Sequence, residues 1–176
     1  DATFTNDGNN LTINGSVANN GGTLNMTNAN GAFDINGTVS NDNNTNLTNN
    51  GANGLNVNGT VTNNGGTLAM LNTGAKGLNI AQAGKVNAKG LRMENRGADG
   101  LNINGTVTNV GTAEVLNQAG ALLVGGSFTN TGDATFTNNG TNLTVNGSVT
   151  NKGKTLTMSN KNGAFDVNGS VSNEGT

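Results

Sequence analysis

Asparagine returns to equivalent places along the whole chain, and no other feature restricts the fold as much. One set closes a recurrent run typified by Leu55-Asn56-Val57-Asn58-Gly59-Thr60-Val61-Thr62-Asn63. Its asparagines are Asn19, Asn41, Asn63, Asn87, Asn109, Asn130, Asn151 and Asn173, spaced 22, 22, 24, 22, 21, 21 and 22 residues apart. A second set ends a shorter motif of apolar residue, any residue, then Asn, as in Phe4-Thr5-Asn6 and Met70-Leu71-Asn72. It comprises Asn6, Asn28, Asn49, Asn72, Asn95, Asn117, Asn138 and Asn160, and it keeps step with the first. A fixed period of about 22 residues is the signature of a solenoid.

Within each repeat the apolar residues fall at every second place (Leu55 and Val57; Leu11 and Ile13; Leu143 and Val145), which is the pattern of a strand with one buried face. All the Phe and Met residues occupy such positions. A unit of this size, holding two or three short strands, cannot bury its own apolar face. Stacking the units solves the problem, each strand pairing with its equivalent about 4.8 Å away. The sequence therefore predicts an all-β fold, a right-handed parallel β-helix, with handedness taken from the general crossover preference. Residues 1–176 are expected to form a single β-solenoid with coils over approximately 1–22, 23–43, 44–66, 67–90, 91–112, 113–133, 134–154 and 155–176. A longer repeat lies above the short one: Asp1-Ala2-Thr3-Phe4-Thr5-Asn6 returns at Asp133 and Ala32-Phe33-Asp34-Ile35-Asn36-Gly37 returns at Ala164, an offset of 132 residues. Asp1 begins inside a repeat and neither end shows a polar cap. The native chain is accordingly expected to run on in both directions, or short subunits to stack end to end.

Composition separates this reading from disorder. The chain holds 39 Asn and 29 Gly, only 10% charged residues, and no Pro, Cys, His, Trp or Tyr. A disordered segment would carry more net charge than −2, and would give no reason for apolar residues to keep register. Near-neutral charge argues against nucleic-acid binding, and no apolar run approaches the roughly 20 residues of a membrane span. Without His or Cys the common catalytic bases, nucleophiles and metal ligands are missing. The acidic residues are scattered, and calcium-binding Gly-Gly-x-Gly-x-Asp nonapeptides are absent. The expectation is a non-enzyme with no cofactor.

Three groups of residues invite a functional reading. The asparagine columns are expected to be structural, their amides donating and accepting along a stack while the residue tolerates left-handed turn geometry. In Asn-Gly pairs such as Asn36-Gly37 and Asn58-Gly59, glycine is expected to supply an unusual φ where the coil bends between faces. The stretch from Lys76 to Asp99 holds 7 of the 18 charges and includes a longer coil around Ala81-Gln82-Ala83-Gly84. Lys76, Lys85, Lys89, Arg92 and Arg96 are candidates there for a lateral contact to a neighbouring filament or an acidic glycan. Finally, Thr and Ser recur on the outward side of the strands (Thr60, Thr62, Thr106, Thr108, Thr144, Thr150), alternating with Asn instead of forming strict two-wide columns. Such a face suggests a glycan- or ice-binding solenoid as the alternative function.

Repeats of the form Leu-x-Ile/Val-x-Gly-Thr-Val-x-Asn, followed by Gly-Gly-Thr-Leu as at Gly65 to Leu68, resemble the filamentous haemagglutinin-like adhesins. The family's usual period is somewhat shorter. These are large bacterial surface proteins exported by two-partner secretion or as autotransporters. The resemblance covers the chain through its repeat style and implies a stiff extracellular shaft for attachment or a biofilm matrix. Its implied partners are further copies of itself and host or matrix glycans. No functional residues carry over, because the family's repeats mostly form the shaft.

Overall fold

Alternation on three short runs gives each coil three strands. In coil 3 they are Thr45–Asn49, Leu55–Val57 and Thr60–Asn63, termed here the first, second and third strands of a coil. The structure, a computed structural model, describes residues 1–175. Every strand pairs in parallel with its equivalents in the coils before and after, so the chain builds three eight-stranded sheets and is an all-β solenoid of eight coils. Pairing runs residue for residue: Thr60, Val61, Thr62 and Asn63 lie beside Thr38, Val39, Ser40 and Asn41. The rest of the coil serves as the crossover that parallel strands otherwise need a helix to make.

In-register pairing stacks like on like inside the rod. Met26, Leu47, Met70, Met93, Val115 and Phe136 form one inward column, and Val39, Val61, Val86, Val107, Phe128 and Val149 another, all at most 1% exposed. Each such side chain contributes about 1.5–3 kcal/mol of burial. Where two large rings meet, Phe128 and Phe136 pack edge to face with centroids 4.8 Å apart and planes at 71°. The outermost coils lack one neighbour. Phe4 and Phe165 are 43% and 45% exposed, whereas their counterparts one long repeat away, Phe136 and Phe33, are fully buried.

The corners are backbone constructions. Between second and third strands the chain turns in two residues, and both N–H groups donate to a single carbonyl of the coil beneath. Asn58 and Gly59 donate to Ile35 O at 2.9 and 2.8 Å, and Asn36 and Gly37 donate to Ile13 O at 2.9 and 2.8 Å. Glycine is required at this bend by proximity and not, as the sequence suggested, by φ. A Cβ on Gly59 would collide with the carbonyl oxygen of Gly37, and one on Gly37 with that of Gly15. Among the described residues every positive φ belongs to a glycine elsewhere (Gly31, Gly54, Gly66, Gly100, Gly120, Gly163), and no asparagine is left-handed. The amide of asparagine, not its backbone tolerance, is what these corners use.

Coil 4 departs from the others twice. Its bend between second and third strands takes four residues, Ala81 to Gly84, closed by Gly84 N donating to Ala81 O at 2.8 Å. Its next corner, leading into coil 5, is shortened to Lys89-Gly90, where other coils use three or four residues.

Substituting Gly59→Ala is expected to destabilise the protein by about 1–3 kcal/mol in urea unfolding, because the added methyl meets a backbone oxygen that cannot move aside. Gly15→Ala occupies the same place in coil 1, where nothing lies within 4 Å. It is expected to stay within about 0.5 kcal/mol of the parent.

Candidate functional site

The inward positions at two of the three corners are asparagine, and their amides are the most organised polar groups in the molecule. At the end of the first strands the ladder is unbroken. Asn6 Nδ2 donates to Asn28 Oδ1 at 2.7 Å, and the chain continues through Asn49, Asn72, Asn95, Asn117 and Asn138 to Asn160 with links of 2.7–3.0 Å. Every link runs the same way, Nδ2 of one coil to Oδ1 of the next. In Asn28, Asn49, Asn72, Asn95, Asn117 and Asn160 the amide nitrogen also caps the turn that follows: Asn95 Nδ2 donates to Gly97 O at 2.8 Å and Asn28 Nδ2 to Ala32 O at 2.9 Å. Asn28, Asn49, Asn72, Asn95, Asn117 and Asn138 are wholly buried. Buried amides in this state satisfy corner carbonyls that would otherwise be stranded away from water.

The ladder at the end of the third strands is interrupted. Asn19 donates to Asn41 at 2.8 Å, and Asn109, Asn130, Asn151 and Asn173 are linked at 2.7, 3.0 and 2.8 Å. Between these runs Asn41 turns to Asn44 O at 2.6 Å, and the buried hydroxyl of Thr45 takes Asn63 Oδ1 at 2.7 Å. Asn87, expected in this column, is not in it. Val86 pairs with Val61, so Asn87 lies beside Thr62 and faces out, while Ala88 lies beside Asn63 in the ladder position. The four-residue bend of coil 4 feeds the third strand in register with its neighbours, and parity then places Asn87 on the outer face.

Outward asparagines also engage one another. Asn58 donates to Asn36 and Asn36 to Asn14 at 2.8 and 2.9 Å, and Asn46 donates to Asn25 at 2.8 Å.

The charged stretch divides in two. Lys76, Lys85 and Lys89 are exposed at three different corners or edges of coil 4 and do not converge. Arg92 and Arg96 belong to coil 5 and close over Glu94. Arg92 Nη2 donates to Glu94 Oε2 at 2.8 Å and Arg96 Nε to Glu94 Oε1 at 2.7 Å, while Arg92 Nε also reaches Glu114 Oε2 at 3.1 Å. The Glu94 side chain is 5% exposed although its strand position faces outward. Leu71 and Leu116 flank it in the coils below and above, and the two guanidinium groups lie to either side. This buried carboxylate clamp was missed in the sequence. The signal was present, since Arg92, Glu94 and Arg96 share one face of an extended run.

Among the described residues no three His, Cys, Asp or Glu side chains gather as a metal site, and no helix is long and apolar enough to cross a membrane. Comparison with protein-family models, with curated proteins and with solved structures gave no match.

Asn95→Ala is expected to cost at least about 2 kcal/mol in urea unfolding, because several buried polar groups lose partners at about 1–3 kcal/mol each. The clamp predicts an asymmetry. Removing both Arg92 and Arg96 by alanine substitution leaves Glu94 buried without a counter-charge and is expected to cost about 3 kcal/mol or more, whereas Glu94→Leu, matching Leu71 and Leu116, is expected to be neutral or stabilising. Equal losses from the two changes would show that the clamp is not a buried charge site.

Proposed function

We propose that this chain is a structural shaft, a stiff length of extracellular bacterial adhesin or filament whose task is reach and rigidity. The observation that carries this reading is that the polar residues are used on the rod itself. Inward amides bond coil to coil, many outward amides do the same, and the buried carboxylate is neutralised by its own arginines. The residues that would otherwise suggest a reactive centre are thus engaged in holding the coils together. On this reading a partner of the same architecture would pack on the exposed apolar side chains of the end coils, Phe4, Phe165, Val167 and Val171. Host or matrix glycans are partners only of what the shaft carries or of its outer wall.

One observation favours a second reading. The third strands form a sheet whose outward side chains make two parallel columns of hydroxyls: Thr38 with Ser40, Thr60 with Thr62, Thr106 with Thr108, Ser127 with Thr129, Ser148 with Thr150 and Ser170 with Ser172. The sequence had suggested that Thr alternates with Asn without such columns. The separate third strand brings them together, and Lys85 and Asn87 of coil 4 interrupt them. On this second reading the hydroxyls, about 4.8 Å apart along the rod and about 6.6 Å apart across it, would order water and bind ice or a glycan.

Small-angle scattering and electron microscopy at increasing concentration distinguish the two. The shaft reading expects rods lengthening in steps of about 38 Å, eight coils at about 4.8 Å, and Phe165→Lys together with Val167→Lys is expected to hold the rod at unit length. A chain that remains a single unit at every concentration, and that inhibits ice recrystallisation until Thr106→Lys is introduced, would replace the shaft by the second reading.

A further inference from the structure

The break in the third-strand ladder leaves one buried polar atom without a partner. Asn109 is wholly buried, and its Oδ1 is the single buried side-chain oxygen or nitrogen among the described residues that makes no hydrogen bond. Its orientation is fixed by the other half of the amide. Asn109 Nδ2 donates to Asn130 Oδ1 at 2.7 Å, to Gly111 O at 2.7 Å and to Thr112 O at 3.1 Å. Flipping the amide would set an oxygen against three acceptors, so Oδ1 must face coil 4. In an intact ladder that oxygen receives Nδ2 of the coil beneath, but the residue there is Ala88.

The same alanine leaves the amide of coil 3 half used. Asn63 Nδ2 donates to Gly65 O within its own corner, and nothing in coil 4 replaces the carboxamide that its second N–H meets elsewhere in the rod. A donor and an acceptor therefore lie on opposite sides of one missing rung.

The rung lies behind a surface cleft, with Asn109 itself outside the cleft's lining. Because coil 4 turns through Lys89-Gly90 alone, its corner is recessed between the longer corners of coils 3 and 5. A cleft of about 310 Å³ forms there, lined by Asn63, Ala88, Lys89, Thr108 and Val110 among others. Asn63 and Ala88 retain 2% and 5% exposure, whereas the rungs from Asn109 to Asn151 have none. The short corner explains the alanine. Lys89 N donates to Asn63 O at 3.2 Å, and the carbonyls of Ala88, Lys89 and Gly90 accept from Val110, Gly111 and Leu68 at 3.0, 2.6 and 2.8 Å. Coil 4 needs no side-chain amide to cap its turn. The coil above still needs a donor.

We infer that ordered water at the inner end of this cleft, admitted where Ala88 is smaller than a carboxamide residue, stands in for the missing group and donates to Asn109 Oδ1. Asn63 Nδ2 supplies the donor on the far side of the break. The chemistry is specific. A carboxylate or other acceptor-only group would set one acceptor against another at Asn109 Oδ1, and an apolar group would leave it unpaired at the cost of a buried unsatisfied acceptor. Water both donates and accepts, is close in size to a carboxamide (its share of liquid volume is about 30 Å³), and is commonly held by about three polar partners. The inference stands apart from the shaft reading, because it concerns the wall of a single rod.

An atomic-resolution crystal structure of the unaltered chain, paired with water-to-protein NMR exchange transfer at the Asn109 side-chain amide, tests it. The expected result is density within about 3.2 Å of Asn109 Oδ1, together with exchange transfer at Asn109 that is absent at Asn130. Ala88→Asn is expected to displace that density, abolish the transfer and raise the folding equilibrium constant on the order of tenfold, whereas Ala88→Val is expected to lower it by a similar factor. A dry site in the unaltered chain, or Asn109 Oδ1 paired to another protein group, overturns the inference whether or not the variants fold.

Discussion

Everything in this molecule depends on equivalent residues of successive coils lying directly over one another at the spacing of paired parallel strands. That single constraint turns a polar sequence into a structure with a dry interior. A column accepts only what its neighbours above and below can pack or bond, so Leu, Ile, Val, Phe and Met fill the centre and asparagine fills the corners. Asparagine suits a corner column for a physical reason. Its amide presents an acceptor to one side, a donor to the other, and a second donor for the turn carbonyl. Asn95 uses all of these at once, receiving from Asn72 and giving to Asn117 and Gly97. Glycine follows from the same geometry, since carbonyls stacked at a bend leave no room for a Cβ on Gly37 or Gly59.

Most of this was legible in the sequence, because the strands keep their length while only the corners vary. The apolar columns and the entire first-strand ladder could be placed from spacing alone. Within the asparagine columns, what failed did so at coil 4. In every other copy the closing asparagine stands two places after an inward residue, as Val39 with Asn41 and Val107 with Asn109. Asn87 stands one place after Val86, so alternation assigns it to the outside and gives the corner to Ala88. Matching by residue type overrode matching by parity. The charge-rich stretch failed for a different reason. Counting charges describes a surface, while the partition into three exposed lysines and an arginine-held carboxylate depends on which face of which strand each one occupies. The hydroxyl columns stayed hidden until the long run ending at Asn63 was seen to be two strands on two faces.

Coil 4 also shows how such a rod absorbs irregularity. Residues gained at the bend from Ala81 to Gly84 are offset by those shed at Lys89-Gly90, and coil 5 resumes the common register with Leu91 beside Leu68. The disturbance is confined to one turn. Its residue is local: a recessed corner, an alanine among amides, and an acceptor without a protein donor. Variation in this architecture is therefore tolerated where backbone groups of adjacent coils can still find each other.

The sense of the amide links has a further consequence. The inward links all point from lower to higher coil, so each ladder has a polarity, with an oxygen at its lower end and N–H groups at its upper end, while outward links such as Asn58 to Asn36 point the other way. Two rods meeting head to head would set like against like and reverse the parallel strands. Only head-to-tail contact preserves the pattern, and such contact between identical units leaves a fresh, unsatisfied face after every addition. End-to-end contact of this kind would have no closed form and would lengthen the rod along its axis.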